Sequence, residues 1–539
     1  MNTVDSASAP PAPPKVGASR EAQSRRPGAR LLALVRREPA LTAVLAALYV
    51  AALVPIWWPR FLPLLDQPNH LAHIAIWRRL ADPSWHYSDF YRSSPLPVPY
   101  WGYYFPCYLL AHILPVEAAA KLYLSIYAAA LPASVIALGR RFGRSPWLGV
   151  LAFPLVFNYS FGYGFISYCV ALPTALFALA LLDKYLAEGG LLRLAGVVAL
   201  TVATFFGHVL PWLLLGVSCL PVLLAHWRQW RRVLLAAAAL LSTAVGALFD
   251  LRLASAEKAL VGSTAFHLSD WRFQRAYDAM DLAPHRLLTA WPGDGDELCL
   301  LGLVLSFVLL AATAARAATE QGGKRTLRDW IPELCFLIAA FAYLEAPYKT
   351  YKPLDWWNIN PRIATMAALF GALLVRGPIG GRRRLLLVPA VIAAVAYPLL
   401  LNRQFVDFNG RAAGMARLME KVPRGSSTLT LLLGDNSDPA LDPEVVPFTQ
   451  FHSYPQLLAG GYDPYQFKLH FPFKETKALP APGWTRFGEF NQAAHGSFYD
   501  FVLTRNEPRD FQLFGAYANR VKLVGHDGAW RLYATKDIR

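Results

Sequence analysis

Hydrophobic stretches approaching the width of a bilayer recur along this chain near 39–58, 119–139, 146–160, 164–182, 191–206, 208–226, 232–249, 298–317, 331–345, 361–376 and 384–401. An untilted transmembrane helix wants about 20 apolar residues, so the pattern predicts a polytopic α-helical membrane protein with about eleven spans. The windows at 146–160 and 331–345 are short and need their flanking aromatic residues to reach across. A further apolar run, 105–114, is too short to span and reads as interfacial or re-entrant.

After residue 402 the pattern changes. Apolar runs shrink to strand length at 427–433, 498–503 and 530–534, while 407–422 keeps helical spacing. This predicts a mixed α/β domain over 403–539, its loops punctuated by Gly460-Gly461 and by Pro480-Ala481-Pro482-Gly483. Residues 1–30, rich in Ala, Pro, Ser and Arg without an apolar core, read as a disordered cytoplasmic tail rather than a signal peptide. The transmembrane domain then occupies 31–402, with long loops at 59–118 and 250–297.

Composition supports the membrane reading. The 539 residues are 55% hydrophobic and only 16% charged, with a mean hydropathy of +0.30, too little charge to cover a soluble surface. Lys and Arg outnumber Asp and Glu by 52 to 36, which raises nucleic acid as a partner. Their placement argues against it. They gather between apolar segments, as in Arg140-Arg141, Arg228 to Arg232 and Arg382-Arg383-Arg384, the positive-inside arrangement. One orientation satisfies every strongly basic loop, with the N-terminus cytoplasmic. Loops 59–118, 250–297 and 346–360, and the C-terminal domain, then lie on the outer face of a bacterial-type inner membrane. The five cysteines lie in or beside apolar segments without a CxxC pair and read as small buried hydrophobes.

Candidate chemistry collects just after the first span, in Asp66-Gln67-Pro68-Asn69-His70-Leu71-Ala72-His73. On a helix Asp66, His70 and His73 share a face. The trio suits a divalent metal, Mg²⁺ or Mn²⁺ ahead of Zn²⁺. Equally, Asp66 suits a general base with His70 as relay. The plainer reading makes Asp66 a helix cap before Pro68 and His73 a packed core histidine. Asp89 is a second carboxylate in the same loop, able to share a proton or metal, or simply to pair with Arg92. His208 interrupts an apolar run at a turn, where ionisable groups tend to line a cavity. The late loop supplies Lys349, Lys352 and, after Pro361, Arg362, whose fork of donors suits a lipid phosphate; snorkelling toward headgroups is its plainer role. Gly162-Tyr163-Gly164 falls inside a membrane segment and follows no strand, so it does not read as a phosphate loop.

In this arrangement the chain resembles the GT-C-fold glycosyltransferases, polytopic enzymes that use polyprenyl-phosphate-linked sugars. The resemblance rests on Leu65-Asp66-Gln67-Pro68-Asn69-His70 after the first span and on the aromatic-Pro segment Tyr103-Tyr104-Phe105-Pro106. Gly139-Arg140-Arg141-Phe142-Gly143 at the end of the next span and a domain after the last span complete it. It implies that Asp66 is the catalytic base or a metal ligand and that Arg362 contacts the lipid phosphate. It further implies a membrane-bound polyprenyl-phosphate sugar donor and a glycan, lipid or protein acceptor at the outer face. Gln67 stands where the family usually has a second acid, and His70 and His73 are not general family features. A metal-dependent transferase or hydrolase of another lipid-linked group is the enzymatic alternative. A transporter or membrane scaffold is the non-enzymatic one, disfavoured because the polar residues collect at one face.

Overall fold

Apolar windows become helices almost everywhere in the computed structural model, but length and proline decide which of them can cross a bilayer. The structure describes residues 38–94, 99–259, 270–288, 295–319, 325–351, 356–438, 446–467, 472–508 and 512–535. Its helices are α1 (Pro39–Trp57), α2 (Gln67–Arg79), α3 (Trp101–Leu110), α4 (Val116–Arg141), α5 (Tyr159–Gly162), α6 (Ile166–Glu188), α7 (Leu191–Gly207) and α8 (Val209–Ala225). They continue with α9 (Trp230–Ala259), α10 (Ala276–Leu287), α11 (Gly295–Thr319), α12 (Ile331–Glu345), α13 (Ile359–Ala372), α14 (Val388–Met419) and α15 (Ser453–Ala459). Residues 51–539 form one compact unit, and those up to Val50 another. The tail expected over 1–30 lies outside the described residues.

The expected eleven spans are corrected to five, or six if one bent pair counts as a span, among the described residues. The five are α1, α4, α6, Gly295–Ala314 and Gly381–Met419. The window 146–160 forms 3-10 turns, Pro146–Ala152 and Pro154–Phe157, because its prolines break a regular helix. Helices α12 and α13 have 15 and 14 residues, short of the roughly 20 that a bilayer needs. Nearly all of α13 is buried in protein, and an apolar run serves that purpose as well as it serves lipid. Windows 208–226 and 232–249 form a pair bent by 94° at the Trp227–Gln229 turn. His226, just before the turn, holds Asp183 of α6 at 2.9 Å.

Three small sheets join distant segments. Strand β1 (Tyr91–Ser93) pairs antiparallel with β6 (Phe473–Glu475), tying the first long loop to the C-terminal region. Strands β2 (Trp271–Arg272), β3 (Lys349–Thr350) and β4 (Trp356–Trp357) form an antiparallel sheet that ties the second long loop to the late loop. The C-terminal sheet runs β5-β7-β9-β8, from β5 (Thr428–Leu432), β7 (Phe501–Arg505), β8 (Lys522–Asp527) and β9 (Trp530–Ala534). Within it β5 and β7 are parallel and the other pairs antiparallel. The expected boundary at 402/403 falls inside α14, which runs unbroken from the apolar window into the C-terminal region.

Helix α6 sets the long axis of the site. Its first turns carry Tyr168, whose hydroxyl bonds the Arg362 carbonyl, and its far end carries Asp183. Fifteen residues at 1.5 Å each separate the two by roughly 22 Å. Asp183 there meets Arg141 and Arg328 at 2.9 and 2.8 Å, so part of the basic belt read from the sequence converges on one buried acid.

Candidate functional site

Asp66 is placed by backbone. The Leu65 amide donates to Gly162 O at 3.2 Å and the Asp66 amide to Tyr163 O at 3.1 Å. This close approach needs Gly164, which has φ +80° and where a Cβ would meet Asp66 N at 2.6 Å. The Gly-x-Gly that reads as weak in sequence thus seats the acid. Asp66 stands at the N-terminal end of α2, yet its side chain makes no capping bond. Its carboxyl group therefore stays available beside Tyr104 and Arg362, both close enough to act on its charge. Burial pushes its pKa up to about 7, with the Arg362 charge opposing.

The two histidines take other roles. His70 Nδ1 accepts from the Tyr104 hydroxyl, and its Nε2–H donates to Gly164 O at 3.1 Å. Both ring nitrogens are engaged, so His70 offers no lone pair to a metal. His73 donates from Nδ1 to Asn69 O at 2.7 Å and stacks on Phe473 at 5.2 Å. It is the packed histidine of the plainer reading. Burial holds both rings neutral, with pKa values lowered to about 3 and about 4. Among the described residues no group of three or more His, Cys, Asp or Glu is arranged to hold a metal ion. The Asp66, His70 and His73 donor set does not fit the divalent ion it suggested.

Arg362 and His208 form the other half of the site. Arg362 sits over Phe165, its guanidinium carbon 3.6 Å from the ring centroid, and Nη2 donates to Trp357 O at 3.2 Å. Its Nε is buried without a hydrogen-bond partner. His208 opens α8, and its Nδ1 accepts the Leu210 amide at 3.0 Å. Burial, and secondarily Arg362, hold the His208 pKa well below its ordinary value, so the ring is neutral. Arg362 Nη1 lies 3.1 Å from His208 Nε2, so the guanidinium and the imidazole meet edge to edge. Tyr100 and Tyr168 wall the imidazole, at ring separations of 5.2 and 5.6 Å.

The remaining candidates lie elsewhere. Asp89 is exposed and pairs with His86 at 3.1 Å, not with Arg92, and its partner is a surface group rather than Asp66. Lys349 sits on β3 with its amine 4.4 Å from the Tyr351 ring, and Lys352 lies outside the described residues. Sequence reading gives no site role to Gly164, Phe165, Tyr100 or Tyr104. Gly164 carries a signal as part of the Gly-x-Gly, and Tyr104 as part of the aromatic-Pro segment.

A helical membrane body followed by an α/β region is a GT-C-like fold shared with solved structures. The solved structures that share it include ArnT from Cupriavidus metallidurans in the apo state. That structure matches with TM-score 0.51 and 15% identity over 93% of this chain and 98% of that one. The same protein bound to undecaprenyl phosphate matches with TM-score 0.50 and 13% identity over 92% and 98%. At these identities the likeness is one of fold. No protein-family model matches the chain, and no curated protein sequence does.

Proposed function

We propose that this protein is a membrane glycosyltransferase that moves a sugar from a polyprenyl-phosphate donor to an acceptor hydroxyl at the membrane face where Asp66 and Arg362 meet. The observation that carries the reading is Arg362, with Nη1 3.1 Å from His208 Nε2 and Nε buried without a partner, close enough to act on the charge of the uncapped Asp66 carboxyl group. A phosphate oxygen accepts from such a guanidinium. The likeness in fold to ArnT, whose bound structure holds undecaprenyl phosphate, agrees with a lipid phosphate as that anion.

In the reaction, the acceptor oxygen attacks the anomeric carbon of the donor sugar. The bond from that carbon to the phosphate oxygen breaks, and the electron pair leaves with the polyprenyl phosphate. Asp66, ionised about half of the time near pH 7, takes the acceptor proton. Arg362 and His208 offset the charge that grows on the departing phosphate. The lipid tail supplies binding energy that holds the reacting head at the interface.

Purified protein in liposomes, given labelled polyprenyl-phosphate sugars and membrane extracts as acceptors, tests this. Wild type should pass label to the acceptor fraction. Asp66→Asn and Arg362→Ala should each reduce the rate by about 10²-fold or more. Equal transfer by Asp66→Asn would remove it from the base role, and no transfer from any donor would overturn the reading.

A further inference from the structure

A cavity of 380 Å³ opens in the C-terminal sheet, lined by none of the residues of the Asp66 site. Its floor is Leu432, Leu433 and Gly434, where β5 ends, with Pro508 just beyond the end of β7. These are the two parallel strands of the sheet. Crevices at the carboxyl ends of parallel strands are where open α/β sheets place ligands. The wall is formed by Trp484, Thr485, Phe487 and Gly488.

The chemistry of the lining is selective. Trp484 is 44% exposed in this wall, an unusual position for the largest apolar side chain. Phe487 beside it is held edge-on by Tyr465, with rings 5.3 Å apart at 90°, and the Tyr465 hydroxyl is fixed to Pro482 O at 3.2 Å. Polar groups come from Asn436, Thr449 and Thr485. Asn436 donates to Leu432 O at 3.3 Å, which orients the amide, while its Oδ1 is buried with no partner. Among the described residues no acidic, basic or thiol side chain lines the cavity. The size falls in the range of small-ligand sites, about 300–1,000 Å³.

A flat aromatic wall, a fixed amide and hydroxyls, with no charge among the described lining residues, together select a neutral ring with one apolar face and hydroxyls around its edge. We propose that this cavity is a saccharide-binding subsite for a neutral glycan. The assignment deepens the proposed function, on which it rests for its role, by making the acceptor a glycan rather than a lipid or a protein. The sugar ring lies against Trp484, its hydroxyls reach Thr449 and Thr485, and Asn436 Oδ1 accepts from one of them.

The test is binding, which needs no transfer. Saturation-transfer NMR on the full-length protein in nanodiscs would use the methyl glycosides of glucose, galactose, mannose and N-acetylglucosamine. Ring protons of at least one should receive saturation, with affinity falling about fivefold or more in Trp484→Ala as the stacking surface is lost. Asn436→Ala and Thr485→Ala should weaken it too. The exposure of Trp484 and Thr485 lets both variants fold, and a melting curve confirms that. No saturation of any glycoside would overturn the subsite. So would equal binding by Trp484→Ala, or loss in Arg362→Ala with retention in Trp484→Ala. Binding that survives in a protein that transfers no label would instead sink the transferase reading alone.

Discussion

Asn69 Nδ2 donates to Gln450 Oε1 at 2.5 Å, joining the helix that starts at Asp66 to the C-terminal region. Asn69 Oδ1 also accepts the Phe467 amide at 3.2 Å. Gln450 Oε1 is shared with His452 Nε2 at 2.8 Å, and His452 Nδ1 meets Asp463 at 2.7 Å. All four side chains are buried. The chain from Asp463 to Asn69 therefore fixes α2 from the side of the C-terminal domain, three residues from the proposed base.

Asn69→Leu keeps the branching of the side chain and removes both bonds, which leaves Gln450 short of a donor and the Phe467 amide without its acceptor. The expected cost is about 1–3 kcal/mol, because groups buried without partners forfeit their hydration. It reads as a lower Tm in detergent, together with reduced transfer as Asp66 loses its footing. An unchanged Tm would show that α2 is held by packing alone.

The raised pKa of Asp66 gives the rate a pH limb. A general base works only when ionised, and burial keeps this acid protonated until about pH 7. Below that, kcat/KM should fall about tenfold for each pH unit. Arg362 lowers the Asp66 pKa, so Arg362→Ala should move the limb to higher pH as well as reduce its plateau, whereas Arg362→Lys should leave the limb nearly in place. A profile flat from pH 5 to 8 would mean that Asp66 does not carry the proton.

Much of this site is legible in sequence, for a physical reason. Asp66, His208 and Arg362 each set an ionisable group at the edge of an apolar run, and such groups are costly unless they serve one another. Their gathering is what the structure adds. The histidines of α2 read as ligands because spacing shows a shared face but not what lies opposite it, and Tyr104 and Gly164 lie opposite His70. Asp89 reads as a second acid because loop residues carry no periodicity to say which way they point. The span count erred for a related reason. Hydropathy measures how apolar a segment is, and α13, buried among other helices, is as apolar as a lipid-facing one. The role of Gly164 was hidden because a positive φ is a demand of the fold rather than of the local sequence.

Asp183, at the far end of α6, carries the frame on which these residues are hung. Its side chain is fully buried, and Oδ1 meets His226 Nε2 at 2.9 Å and Arg328 Nε at 2.9 Å. Oδ2 meets Arg141 Nε at 2.9 Å and Arg328 Nη2 at 2.8 Å. One acid thus ties the end of α4, the bend after α8 and the turn before α12. Asp183→Asn keeps the shape and removes the charge, leaving Arg141 and Arg328 facing each other across a neutral amide. Removing one partner of a buried ion cluster costs about 3–5 kcal/mol, and the partial exposure of both arginines places this case at the lower end. Thermal unfolding of Asp183→Asn should show that loss, and the double variant Asp183→Asn with Arg328→Gln should recover part of it, since fewer cations are then uncompensated. Equal Tm values for wild type and Asp183→Asn would show that the helices are held by apolar packing and that the cluster only marks the basic end.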